Sequence, residues 1–133
     1  MAAGRYNFTI EQGATVDFEI AYTDSNGDPI DLTGYNSRMQ FRPSPGSETL
    51  YLTLSSSLGP CGTGLNMSGS GGINPPTSGT IGIYITAASS SQLTFPSAQY
   101  DLEIASGSGD CATVTRLLEG AIRLSQNITL GSF

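Results

Sequence analysis

Chemistry in this chain would have to come from carboxylates, serines and two cysteines, because it contains no histidine and no lysine. Nucleophilic catalysis needs an activated Ser, Cys or Thr with a base in reach, and neither of the usual bases accompanies the many serines. Two carboxylates can suffice for glycosidase-type acid–base work, and two pairs invite that reading: Asp17 with Glu19, and Asp101 with Glu103. Each pair alternates with apolar residues, so both members fall on the polar face of one strand. That placement suits a solvated surface better than a cleft. The chain is therefore expected not to be an enzyme, and no catalytic, cofactor-binding or metal-binding residue is assigned.

The remaining motifs offer no firmer chemistry. Asp24-x-Asn26-Gly27-Asp28-x-x-Asp31 has the look of a calcium loop. A helix-flanked loop of that kind needs glycine at its sixth position and glutamate at its twelfth, and both are missing. Asx residues around Asn-Gly are what a hairpin turn requires. Cys61 and Cys111 lie fifty residues apart in Gly/Ser-rich stretches, with no histidine to complete a zinc site. They read as two thiols or as a disulfide clamping two loops, and spacing leaves both open. Gly62-x-Gly64 and the glycines at 69, 71 and 72 lack the following helix of a phosphate-binding loop. They read as the flexibility of an assembly loop. Arg116, alone among apolar residues and near Glu119, reads as an exposed cross-strand pair or as an arginine facing a partner.

At 133 residues the chain is expected to form a single domain, 1–133, with a core of its own. Eleven acids against five arginines give a net charge of −6. Arg5, Arg38, Arg42, Arg116 and Arg123 are scattered along the sequence, so a grip on phosphate backbones is not expected, and no nucleic-acid partner is assigned. No apolar run approaches the roughly 20 residues of a membrane helix, so no membrane partner is assigned. Met1-Ala2-Ala3-Gly4-Arg5 has no apolar stretch behind its charge and does not read as a signal peptide. The tripeptides at Asn7, Asn66 and Asn127 that match the glycosylation pattern accordingly carry little weight.

These residues must be held by strands. Phe8, Ile10, Val16, Phe18, Ile20 and Tyr22 alternate with polar residues, Asp24–Pro29 breaks the run as a hairpin turn, and Met39 and Phe41 resume it. Strands are expected at 5–11, 14–23, 36–42, 48–55, 80–86, 98–105, 112–118 and 120–126, the last two reading either as separate strands or as one strand bent near Gly120. Ile30–Tyr35 reads as a short edge segment or corner, and 87–93 as the one helical turn. Residues 56–79, rich in Gly, Ser and Pro, form a long loop expected to cover a partner surface or a domain edge. Period-two alternation broken by turns predicts an all-β, antiparallel β-sandwich of about seven or eight strands.

Two blocks carry more than pattern. Tyr6–Thr15, Asp28–Tyr35 and Arg38–Pro43 open the chain, and Tyr100–Ile104 with Val114–Gly120 close it. In this order they resemble a family of small proteins encoded in the structural modules of tailed phages and prophages. More distantly they are similar to the N-terminal immunoglobulin-like domains of phage baseplate proteins. The resemblance spans nearly the whole chain, and 56–79 with Cys61 is where it departs. It implies an immunoglobulin-like sandwich without catalysis, made in the host cytoplasm and built into the virion, most naturally at the tail or baseplate. The implied partners are other virion proteins and copies of itself. A capsid decoration protein is the first alternative. A carbohydrate- or receptor-binding fibre module, using Tyr35, Tyr51 and Tyr84, is the second.

Overall fold

The computed structural model describes residues 4–59, 62–107 and 111–128. Its strands are β1 (Gly4–Arg5), β2 (Phe8–Glu11), β3 (Val16–Ala21), β4 (Asn36–Arg42), β5 (Leu52–Ser55), β6 (Gly64–Asn66), β7 (Thr80–Ile85), β8 (Ser97–Ser106) and β9 (Thr113–Ser125). A short helix, α1 (Ala87–Ser91), lies between β7 and β8. One sheet has six strands, β1 and β2 on β9, then β8, β4 and β5, and the other runs β3–β7–β6. The order β3–β7–β6 against β9–β8–β4–β5 is that of an immunoglobulin-like sandwich. The hallmarks of antibody domains are missing: there is no tryptophan, and β3 and β8 carry no cysteine.

The inward halves of the alternating patterns make the core. Met39 and Phe41 of β4, Leu102 and Ile104 of β8, and Ile122 of β9 meet Ile81, Ile83 and Ile85 of β7. Burying side chains of this kind stabilises by about 1.5–3 kcal/mol each. Phe8 links the layers, its ring 5.2 Å from both Phe18 of β3 and Tyr100 of β8. At the other end Ser90 of α1, fully buried, donates to Ala14 O (2.7 Å) and accepts from Gly13 N (3.1 Å). Thr86 caps that helix by accepting from Ser89 N.

Five expectations need correction. The sandwich is not wholly antiparallel, because β1 and β2 run parallel to β9; alternation reports which face is buried, not the direction of the neighbouring strand. The turn at Asp24–Pro29 forms, with Asp24 N on Asp28 O and Gly27 N on Asp24 O, but its hairpin ends at a Thr23–Pro29 bridge. Residues 30–35 are a corner, pinned by buried Leu32, that carries the chain into the other sheet, so β3 and β4 never pair. Strand 5–11 is interrupted at Tyr6–Asn7, and the strand at 48–55 begins only at Leu52, leaving Leu50 exposed. Of the two readings of 112–126 the single strand is the one that forms, over Thr113–Ser125, and its irregularity falls opposite Leu102 and Glu103 rather than at Gly120.

The fifth correction concerns 56–79. Instead of a wholly irregular loop it supplies β6, which closes the edge of β7, and a 3₁₀ turn at Ser70–Gly72 that lies on the outer face of the three-stranded sheet. A Cβ on Gly82 would meet Gly69 and Ser70 backbone atoms at 2.7 Å. Gly64 serves close backbone approach in the same way, since a Cβ there would lie 2.7 Å from Ser55 O, whereas Gly62 and Gly71 meet nothing nearer than 3.9 Å.

Candidate functional site: the outer face of the six-stranded sheet

On β4 and β8 the residues between the core positions point outward: Arg38, Gln40 and Arg42 on one, Gln99, Asp101 and Glu103 on the other. On β9 the register passes from Leu102–Leu118 to Glu103–Arg116, so Leu117 is an extra residue. A bulge of this kind resets the side-chain alternation. It places both Arg116 and Glu119 on the outer face, three residues apart, and their side chains meet at 3.6 Å.

The charges pair across the strands. Arg38 Nε lies 2.8 Å from Glu103 Oε1, and Arg116 Nε lies 3.4 Å from Asp101 Oδ2. Arg42 donates to Ser47 O (2.9 Å) and to Gln40 Oε1 (3.0 Å), holding the turn after β4. Partial burial raises the Asp101 carboxyl above its usual range, helped by neighbouring Glu103, while Arg116 and Arg38 oppose the shift. With Arg5 and the Ser44–Gly46 turn these side chains line an open depression of about 510 Å³. On the core side of the same strands Tyr100 donates its hydroxyl to Tyr6 O at 2.5 Å, and burial pushes that phenol well above its ordinary value. The Tyr6 carbonyl is thus drawn off the ladder, and Asn7 Oδ1 takes its place as acceptor for Ala121 N at 2.8 Å.

The arginines that look scattered in sequence are gathered by the fold. All five sit on this sheet: Arg5 on β1, Arg38 and Arg42 on β4, Arg116 and Arg123 on β9. Sequence reasoning singled out Arg116 alone, which is half exposed and paired with both Asp101 and Glu119. It missed the other lining arginines. Their outward parity on β4 was the available signal, but nothing in the sequence places β1, β4 and β9 side by side.

The other sequence candidates fall elsewhere. Asp24 Oδ1 accepts from Asn26 N and Asp28 N, at 2.9 and 3.0 Å, and so serves its own turn. Asp17 accepts from Ser70 Oγ at 2.6 Å. Tyr51 stacks on Phe95 with centroids 4.6 Å apart, and Tyr35 packs against the core, whereas Tyr84 lies on the other sheet. Cys111 is an exposed free thiol, and Cys61 lies outside the described residues. Among the described residues no cluster of three metal-ligating side chains occurs, and no helix is long and apolar enough to cross a membrane.

Comparison with known protein families and with curated protein sequences finds no match.

Proposed function

We propose that this chain is a non-enzymatic structural protein of a tailed-phage virion, an assembly module of the tail or baseplate. It works by presenting the outer surfaces of its sandwich to neighbouring virion proteins and to copies of itself. The resemblance of its opening and closing blocks to phage structural proteins motivates the setting. The observation that carries the surface role is the outer face of the six-stranded sheet, where arginines and carboxylates alternate over an open depression. Arginine is enriched at protein interfaces, and paired charges on an open face discriminate between partners more than they add affinity. The carboxylates of this face are engaged by arginines, which supports a binding rather than a catalytic role.

The test is the position of the chain in particles. Antibody labelling and mass spectrometry of purified virions, separated into heads and tails, should find it with tails. A signal confined to heads would replace this reading by the decoration-protein alternative, and absence from both would end it. Specific binding on a glycan array, lost on changing Tyr84, would favour the fibre-module reading instead.

A further inference from the structure

The charge of this chain is divided between the two sides of the sandwich. The depression on the six-stranded sheet is lined by four arginines (Arg5, Arg38, Arg42, Arg116) and three carboxylates (Asp101, Glu103, Glu119), a balance of 4 − 3 = +1. The rest of the chain holds one arginine and eight acids, 1 − 8 = −7, which together with +1 gives the overall −6. Five of those eight acids follow one another on β3 and just after it, whereas Glu11 lies on β2, Glu48 precedes β5 and Asp110 lies outside the described residues. From Tyr6 to Ser37 there is no cation, while Asp17 and Glu19 project from the outer face of β3 and Asp24, Asp28 and Asp31 follow in the turn and corner beyond. Asp17, Glu19, Asp28 and Asp31 are exposed. On the other side Arg5 and Arg123 are exposed too, and among the described residues neither makes an ion pair.

We infer that the arginine-bearing face of one copy docks on the acidic face of β3 and its following turn in a second copy of this chain. This rests on the proposal that the chain assembles with itself, and it names the two surfaces. They lie on opposite layers of one sandwich, so the contact is head-to-tail and propagates into a ring or a filament rather than closing as a twofold dimer. Exposed ion pairs are individually weak and screened by salt. The free chain therefore associates weakly, and repetition along a particle supplies the strength.

The experiment uses sedimentation velocity of the full chain over a concentration series at low and high salt, with two charge-reversed proteins. One carries Arg5→Glu and Arg123→Glu, and the other Glu19→Arg, Asp28→Arg and Asp31→Arg, which leaves three arginines against Asp17 and Asp24 on that face; all five sites are exposed, and circular dichroism checks that both proteins fold. The unaltered chain should associate at low salt, and roughly tenfold more weakly or worse at high salt. Each reversed protein alone should stay monomeric, because its two faces now carry the same sign. An equimolar mixture should associate again, one supplying two acidic faces and the other two basic ones. The inference is overturned if the unaltered chain is monomeric throughout, if either reversed protein associates as before, or if the mixture stays monomeric. Failure here is separable from failure of the virion reading: a chain found in particles but monomeric loses this contact only, and one that associates but is absent from particles loses the virion role only.

Discussion

The two outer faces of this sandwich are finished in different ways. The six-stranded sheet leaves its outer face open, with Arg38, Gln40, Asp101, Glu103 and Arg116 alternating outward from three long strands. The three-stranded sheet covers part of its own outer face with the chain between β6 and β7, whose backbone rests on Gly82. Long, regular strands with polar outward positions can stand in water and meet a partner. A short sheet with glycine at its centre has no side chain to show there, and its own loop supplies the packing. One face is covered by its own chain over β7 and shows only the acidic edge along β3, where Asp17 and Glu19 stay exposed, and the other is open throughout.

If that contrast is right, the largest effects should come from the glycines over which covering segments pass. A Cβ at Gly82 meets backbone of Gly69 and Ser70, and one at Gly120 collides with the Tyr6 carbonyl and approaches Asn7 Oδ1 at 2.9 Å. In both places the nearest obstacle is backbone, not the end of a flexible side chain, so each Gly→Ala change should cost about 3 kcal/mol in urea denaturation. Hydrogen exchange should separate them. Gly82→Ala should expose amides of residues 67–74, and Gly120→Ala those of β1 and β2. If Gly82→Ala were neutral, the loop would not be clamped and the two faces would not differ in this way.

A smaller effect sharpens the description of the open face. Tyr100→Phe removes the hydroxyl that satisfies the Tyr6 carbonyl. Leaving a buried acceptor unpaired costs about 1–3 kcal/mol, and the loss should fall at the lower end because Asn7 continues to hold Ala121 N. Arg116→Ala should cost less still, under about 1 kcal/mol, since its partners are exposed ion pairs. A larger loss, measured by the same denaturation, would mean that this face stabilises the fold rather than being free to bind.

Much of this architecture is legible in the residues. Alternation places β4 at 36–42 with the observed bounds, and Ile81, Ile83 and Ile85 mark β7 as an inner strand. Residues 87–93 read as the one helical turn, with no β-branched residue, glycine or proline among them, and α1 lies there. What alternation cannot carry is partnership. Nothing in Phe8–Glu11 says that it will run parallel to a strand more than a hundred residues away, and nothing in Asn36–Arg42 says that it will leave β3 for the other sheet. Gly64–Asn66 is three residues with no period to read, and becomes a strand only because β7 offers an edge. The candidate face was hidden for the same reason: its arginines converge through pairing, and the bulge at Leu117 that turns Arg116 and Glu119 to one side appears only in the register.

The smallest expected effects are those of pH, and they should differ in sign between the open face and the acidic turn. Asp101 has its carboxyl pKa raised, first by burial and then by Glu103. The folded chain therefore holds that proton more tightly than the unfolded chain, and the stability it contributes is complete at pH below the unfolded value and lost as pH rises through the raised one. Asp31 is the reverse: its pKa is lowered, chiefly by hydrogen bonding to the side chain and then the backbone N–H of Thr33. Its contribution is present above the unfolded value and lost as pH falls through the lowered one. In urea midpoints followed from about pH 3 to about pH 7, Asp101→Asn should therefore gain on the unaltered chain as pH rises, and Asp31→Asn should fall behind it. The pair with Arg116 forms only as Asp101 ionises; it opposes the rise in pKa and so reduces the slope without reversing it. Equal slopes for the two variants would mean that burial and like charge on the six-stranded face do not oppose ionisation, so that its carboxylates are as solvated as those of the turn.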